Sequence, residues 1–155
     1  MNVNVYLRSA KSDDASRIAS ILIDARKTFL PFAQSPHSEE EIHAWVQEYL
    51  IPTNGVTVAT NDDKIIGVQA VSRLDGITWL DQFYLDPEYV GRGIGSKMLA
   101  QLLQTVPRPI RLYTFQQNQP GRYFYERHGF QAIQFRDGKH NEEHCPDVLY
   151  EYTAD

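Results

Sequence analysis

The sequence predicts an α/β protein built on a mixed sheet covered by helices. Three observations point there: a run of β-rich segments joined by tight polar turns, a later strand–helix–strand alternation, and a glycine-relieved loop leading from a strand into a helix. The first implies antiparallel pairing and the second a parallel crossover, so the order βααβββαβαββ requires a sheet of both kinds. A chain of 155 residues, without repeats or low-complexity tracts, fits one domain over 1–155 and one site.

Val3, Val5 and Leu7 alternate with Asn4, Tyr6 and Arg8, a period of two that predicts the first strand. Ser12 to Asp14 can cap a helix, with Ile18, Ile21, Leu22, Ala25 and Phe29 at helical spacing until Pro31 stops them. Ser38 and Glu41 have the form of a capping box for a second helix, whose expected apolar face is Ile42, Trp45, Val46, Tyr49 and Leu50, ending near Pro52. Residues 56–60 and 64–72 are β-rich and separated by Asn61, Asp62 and Asp63, which reads as a hairpin. Asp75-Gly76 then turns the chain into a strand over 77–85.

Beyond Asp86-Pro87 three glycines lead into Ile94, Met98, Leu99, Leu102, Leu103 and Val106, a helix that stops before Pro107. Residues 110–115 read as a strand and 120–128 as a short helix closed by Gly129. Strands over 130–135 and 148–152 complete the chain.

Composition excludes several classes of function. Hydrophobic residues at 42% and charged residues at 23% match a globular domain. With 15 Lys plus Arg against 20 Asp plus Glu, the net charge of -5 opposes nucleic acid and anionic lipid as partners. No apolar run approaches the roughly 20 residues of a spanning helix. The opening MNVNVYLRSA lacks a secretory pattern, and the single Cys145 suits a reducing compartment, so a cytoplasmic location is expected.

The loop Gly91, Arg92, Gly93, Ile94, Gly95, Ser96 lies where backbone N–H groups and the positive end of a helix dipole attract an anion. No proline interrupts it, so every amide keeps its hydrogen, and the bare glycines let a pyrophosphate approach the backbone, with Arg92 adding charge. The plainer alternative is a tight strand-to-helix turn without a ligand. A dinucleotide fingerprint fails because Ser96 stands where its third glycine belongs, and Ser96-Lys97-Met98 does not complete a Walker loop.

The stretches LDQFYLDPEYVGRGIGSKML and TFQQNQPGRYFYERHGF together resemble the core of the GNAT N-acetyltransferases, well over residues 56–135 and in element order over the whole chain. The family's loop pattern, R/Q-x-x-G-x-G/A, falls on Val90, Gly91, Arg92, Gly93, Ile94 and Gly95, and Val90 departs from its first position. The resemblance implies a central, mostly antiparallel seven-stranded sheet flanked by four helices, splayed open between the strand ending at Leu85 and the strand over 110–115. It implies acetyl-CoA as acyl donor, with pantetheine paired to the backbone of Phe83, Tyr84 and Leu85 and the pyrophosphate on residues 90–96. Asn118 matches a position that often touches the cofactor in this family; its alternative is to cap the helix at Pro120.

Acetyl transfer to an amine needs a neutral nucleophile, stabilisation of the carbonyl oxygen, and a proton for the leaving thiolate. By resemblance, a backbone N–H near Leu85 serves the oxygen and Tyr125 supplies the proton; the alternative for Tyr125 is ordinary packing beside Tyr123 and Phe124. The position aligned with a family carboxylate is Trp79, which cannot act as a base. Asp81, two residues along, is the candidate base, or else orients the substrate.

In this fold the segment from Phe29 through Phe32 to His37 and the connection holding Glu142 and Glu143 usually border the acceptor pocket. Carboxylates there favour a cationic amine, unless they form only a solvated loop. His140, Glu143 and His144 satisfy an inverted zinc-protease pattern, but it lies between Asp137-Gly138 and Cys145-Pro146, which reads as a loop, so no metal is expected. The expectation is an acetyl-CoA-dependent transferase acting on a primary amine of a small molecule, peptide or protein. A non-catalytic acyl-CoA sensor, a different acyl group and a homodimer remain open readings.

Overall fold

The computed structural model describes residues 4–53 and 55–154 and contains seven strands in one sheet. They are β1 (Val5–Ser9), β2 (Val56–Asn61), β3 (Lys64–Leu74), β4 (Ile77–Leu85), β5 (Ile110–Phe115), β6 (Gln131–Arg136) and β7 (Asp147–Tyr152), in the spatial order β1-β2-β3-β4-β5-β7-β6. The helices are α1 (Ala15–Phe29), α2 (Glu39–Trp45), α3 (Ile94–Thr105) and α4 (Gln119–Arg127). Every pairing is antiparallel except β4 with β5, which is parallel, as the crossover through α3 requires. Val3 of the expected first strand lies outside the described residues.

Local chemistry sets most boundaries. Ser38 Oγ accepts from Glu41 N at 3.1 Å while Glu41 Oε1 accepts from Ser38 N at 2.8 Å, the reciprocal capping box that starts α2. Asp62 and Asp63 both adopt positive φ, 50° and 67°, which suits the two-residue turn joining β2 to β3. One expectation fails. Trp45 and Tyr49 are exposed and stacked at 6.1 Å, while Ile42, Val46 and Leu50 face the core. Residues Val46–Leu50 form a π-helical turn, and its wider winding rotates Tyr49 away from the buried stripe.

Two layers of helix enclose the sheet. Ile18, Ile21 and Leu22 of α1 pack with Val46 and Leu50 on Val56, Val58, Val68 and Ala70. On the opposite face α3 and α4 cover the rest, through Leu99, Leu102 and Tyr125 against Leu80, Leu112, Val148 and Tyr150.

Two irregularities in the sheet position the site. The β4–β5 register holds only Thr78 against Ile110 and Trp79 against Arg111, after which the strands have no registered partner along that edge. In the β3–β4 ladder Val71 faces Leu80 and Ala70 faces Gln82, so Asp81 is the extra residue of a bulge.

Candidate active site

The bulge decides which backbone groups face the opening. Asp86 N donates to Ile66 O at 2.8 Å and Leu85 pairs with Gly67, so the N–H and C=O of Leu85 point away from β3. Phe83, opposite Gln69, points the same way, toward the β4–β5 gap. Tyr84, opposite Val68, turns its backbone to β3, which corrects the expectation that all three residues offer it. Thr78 sends its N–H to Pro109 O on the β5 side at 3.0 Å, and unbroken alternation would extend that direction to residues 80, 82 and 84. The extra residue Asp81 transfers it to Phe83 and Leu85.

At the far end of β4, Asp86 is anchored three ways. Its N–H is held by Ile66, Oδ2 accepts from Arg17 Nη2 at 2.6 Å, and Oδ1 accepts from Glu88 N at 3.0 Å. Burial opposes ionisation of Asp86, but the Glu88 amide and the Arg17 guanidinium outweigh it and hold the carboxyl below its usual range. Asp86 was legible in the sequence only as part of a turn, because Arg17 lies on another element.

The glycine loop follows. Gly91 and Gly93 adopt φ of 83° and 80°, the left-handed region that suits glycine, and Gly93 is the residue before α3. No side chain caps α3, and its first intrahelical bond runs from Lys97 N to Gly93 O at 3.1 Å. The amides of Ile94, Gly95 and Ser96 therefore have no partner within the helix. Gly95 is helical, and a Cβ there would meet only Phe124 and Leu85 at 3.5–3.6 Å, ordinary contact, so the protein's own packing does not demand glycine. Arg92 lies over the Tyr89 ring at 5.1 Å, Val90 is exposed, and the Ile94 side chain is buried in the core.

Tyr125 is buried on α4, with its ring 6.3 Å from Phe83 and 5.7 Å from Phe130. Burial pushes its phenol far above the ordinary value, with a smaller push from Tyr84. The phenol therefore keeps its proton throughout the neutral range. Asn118 serves as the cap of α4: Oδ1 accepts from Gly121 N at 3.2 Å and Nδ2 donates to Thr114 Oγ1 at 3.0 Å. A Cβ at Gly121 would collide with that side chain. Both ends of the Asn118 amide are thus occupied by the protein itself, which favours the capping role over a cofactor contact.

Asp81 is exposed beside Ser72, and partial desolvation by its surroundings raises its pKa against a lowering hydrogen bond from Ser72. Trp79 stacks on Tyr113 at 5.6 Å. On the α1–α2 face a cleft of about 470 Å³ is lined by Arg26, His37, Glu41, Trp45, Gln82, Glu142 and Glu143 among others. A second, of about 430 Å³, shares Arg26 and His37. Phe29 is exposed and lines neither cleft; Phe32 packs edge-on against Phe115 at 6.0 Å.

The two carboxylates expected at the pocket differ in state. Glu143 accepts from Arg26 Nη2 at 2.9 Å, both side chains being largely buried, and Arg26 also donates to Ala33 O. Glu142 meets His37 Nε2 at 3.1 Å in the open. Residues 137–146 form turns and bends without a helix, so the zinc-protease pattern lacks the geometry it needs. Among the described residues no helix is long and apolar enough to cross a membrane.

The sequence model of the Acetyltransferase (GNAT) family matches residues 19–130. The chain is 26% identical over 136 residues to the uncharacterized N-acetyltransferase YafP of Escherichia coli, covering 84% of this chain and 83% of that one. It is 39% identical over 62 residues to the spermine/spermidine N(1)-acetyltransferase of Bacillus subtilis, covering 37% of this chain and 41% of the relative. The fold is similar to that of the PaiA N-acetyltransferase of Thermoplasma acidophilum, solved with coenzyme A, at a TM-score of 0.75 and 21% identity, covering 97% and 99% of the two chains. With a family match over most of its length and a seven-stranded sheet open between β4 and β5, the chain belongs to the GNAT family and is an acetyl-CoA-dependent N-acetyltransferase.

Proposed function

We propose that the chain moves acetyl from acetyl-CoA to a primary amine by direct attack of the amine on the thioester, in the gap between β4 and β5. The observation that carries this reading is the shared edge: Phe83 and Leu85 turn their N–H groups into a gap flanked by Tyr125, upstream of the uncapped amides of α3. Acetyl-CoA supplies an activated acyl group on a thiol leaving group. The chain's residues bind it and manage protons.

The free amides of Ile94, Gly95 and Ser96 hold the pyrophosphate at the positive end of α3, where Gly95 leaves room that packing does not use. Phe83 pairs its backbone with pantetheine as an added strand would. The Leu85 N–H donates to the carbonyl oxygen as charge develops on it, and needs no reorientation to do so. Tyr125 donates its hydrogen to the departing sulfur, and Asp81 takes the amine's proton directly or through water. The acceptor enters from the α1–α2 face, where Gln82 and the cleft carboxylates lie.

The amine-acetylating Bacillus relative supports an amine acceptor, and the place of Tyr125 beside Phe83 at the β4–β5 gap supports an enzyme over a non-catalytic acyl-CoA sensor. Thiol release from acetyl-CoA across a panel of primary amines tests the reading. Amine-dependent release is expected; coenzyme A binding without release from any amine would leave the sensor.

A further inference from the structure

The cleft on the α1–α2 face carries more negative than positive charge, but its acids are not equivalent. Three carboxylates line it, those of Glu41, Glu142 and Glu143, against the one guanidinium of Arg26. Glu143 is committed to Arg26, whose side chain also holds Ala33 O, and both partners are mostly shielded from water. Glu41 is committed to the N–H of Ser38 in the α2 capping box. Among the described residues Glu142 has only His37 as partner, and the two side chains are 64% and 47% exposed. An exposed pair of that kind contributes little to stability, so a ligand cation can replace His37 at small cost.

His37 stands between two elements that meet over the cleft. The groups facing it are Glu142 from the β6–β7 connection, Glu41 from α2, and Arg26 from α1, with the Lys27–Glu39 pair in the adjoining cleft. Arg26–Glu143 and Lys27–Glu39 are each neutral as pairs. That leaves Glu142 as the cleft carboxylate held by an exposed, exchangeable side chain. The exposed ring of Trp45, stacked on Tyr49, lines the same cleft and offers an aromatic surface to a cation or an alkyl chain.

We infer that Glu142 determines acceptor class by taking a second, non-reacting ammonium of a linear diamine or longer polyamine, with His37 as the internal cation it exchanges. This rests on the amine-acetylation reading above. The reacting amine lies at the β4–β5 gap, while the second charge sits in the cleft between Glu142 and Trp45. His37 acts as a positioning residue. It occupies Glu142 until the acceptor's second ammonium displaces it.

Steady-state kinetics with acetyl-CoA and matched pairs of n-alkylamines and α,ω-diamines, three to eight carbons long, test the inference. The readout is the ratio of kcat/KM for diamine over monoamine, which largely cancels titration of the attacking amine and of the catalytic groups. For the best chain length the ratio at pH 8 is expected to be about fivefold, the scale of one solvent-exposed ion pair. His37→Asn, which removes the exchangeable ring, should keep the ratio at or above the wild-type value, and Glu142→Gln should bring it to about one. A wild-type ratio of one at all lengths, with both amines turned over, overturns the diamine assignment alone. A ratio unchanged in Glu142→Gln does the same. Absence of thiol release with every amine, in protein that binds coenzyme A, overturns the acetylation reading and this inference with it.

Discussion

Arg17 Nη2 donates to Asp86 Oδ2 at 2.6 Å, tying α1 to the end of β4 where the backbone leaves for the glycine loop. Asp86 is buried and holds the Glu88 amide as well, so the pair fixes the direction from which the chain reaches α3. The folded-state pKa of Asp86 lies below its unfolded value, because the Glu88 amide and Arg17 outweigh the burial penalty. Its stabilisation is therefore complete above the unfolded value of about 3.9 and is lost as pH falls through the lower folded value. Asp86→Asn should cost about 1–3 kcal/mol at pH 7, with a smaller difference from wild type at pH 3, read by urea denaturation at both pH values.

Tyr125→Phe should lower kcat by about 10²-fold or more while coenzyme A affinity stays within about twofold of wild type. The ring contacts with Phe83 and Phe130 survive the change, so binding and packing are preserved. Unaltered turnover in stopped-flow thiol assays would assign the phenol a packing role alone.

Asp81 gives a pH signature. Its pKa is raised by desolvation despite the Ser72 hydrogen bond, so as a base it is lost when pH falls through that raised value. The acid limb of kcat/KM should lie above the ordinary Asp range in the wild type and disappear in Asp81→Asn, with activity lowered throughout. An acid limb that persists in the variant removes Asp81 from proton transfer.

Two glycines of the loop should respond differently to alanine. Gly93→Ala places a side chain at φ 80° and should cost about 1 kcal/mol of stability. Gly95→Ala sits in a helix with ordinary contact distances, so stability should hold or rise slightly while coenzyme A affinity falls. Thermal denaturation without ligand, paired with calorimetric titration of coenzyme A, separates the two effects.

The parts of this protein that depend on a few adjacent residues were legible in its sequence. Strands β4 and β5 begin and end as the pattern of apolar residues and turns predicts, and the Ser38–Glu41 box starts α2 where its spacing places it. The three glycines marked the turn into α3, since positive φ and an uncapped helix start are local properties of the backbone. Tyr49 misled because the apolar spacing assumed a regular helix, and the π turn changed the winding beneath it; Trp45 precedes that turn, and its exposure has no such local cause.

What only the tertiary structure decided was partnership across distance. That Asp81 bulges, and so aims Phe83 and Leu85 into the gap, follows from the register with β3, which no window along β4 contains. That Glu143 is neutralised while its neighbour Glu142 meets only an exposed histidine depends on Arg26 and His37, more than a hundred residues earlier in the chain. Identical side chains at adjacent positions carry the same local signal. Their pairing and availability are set by which distant group the fold brings within hydrogen-bond reach.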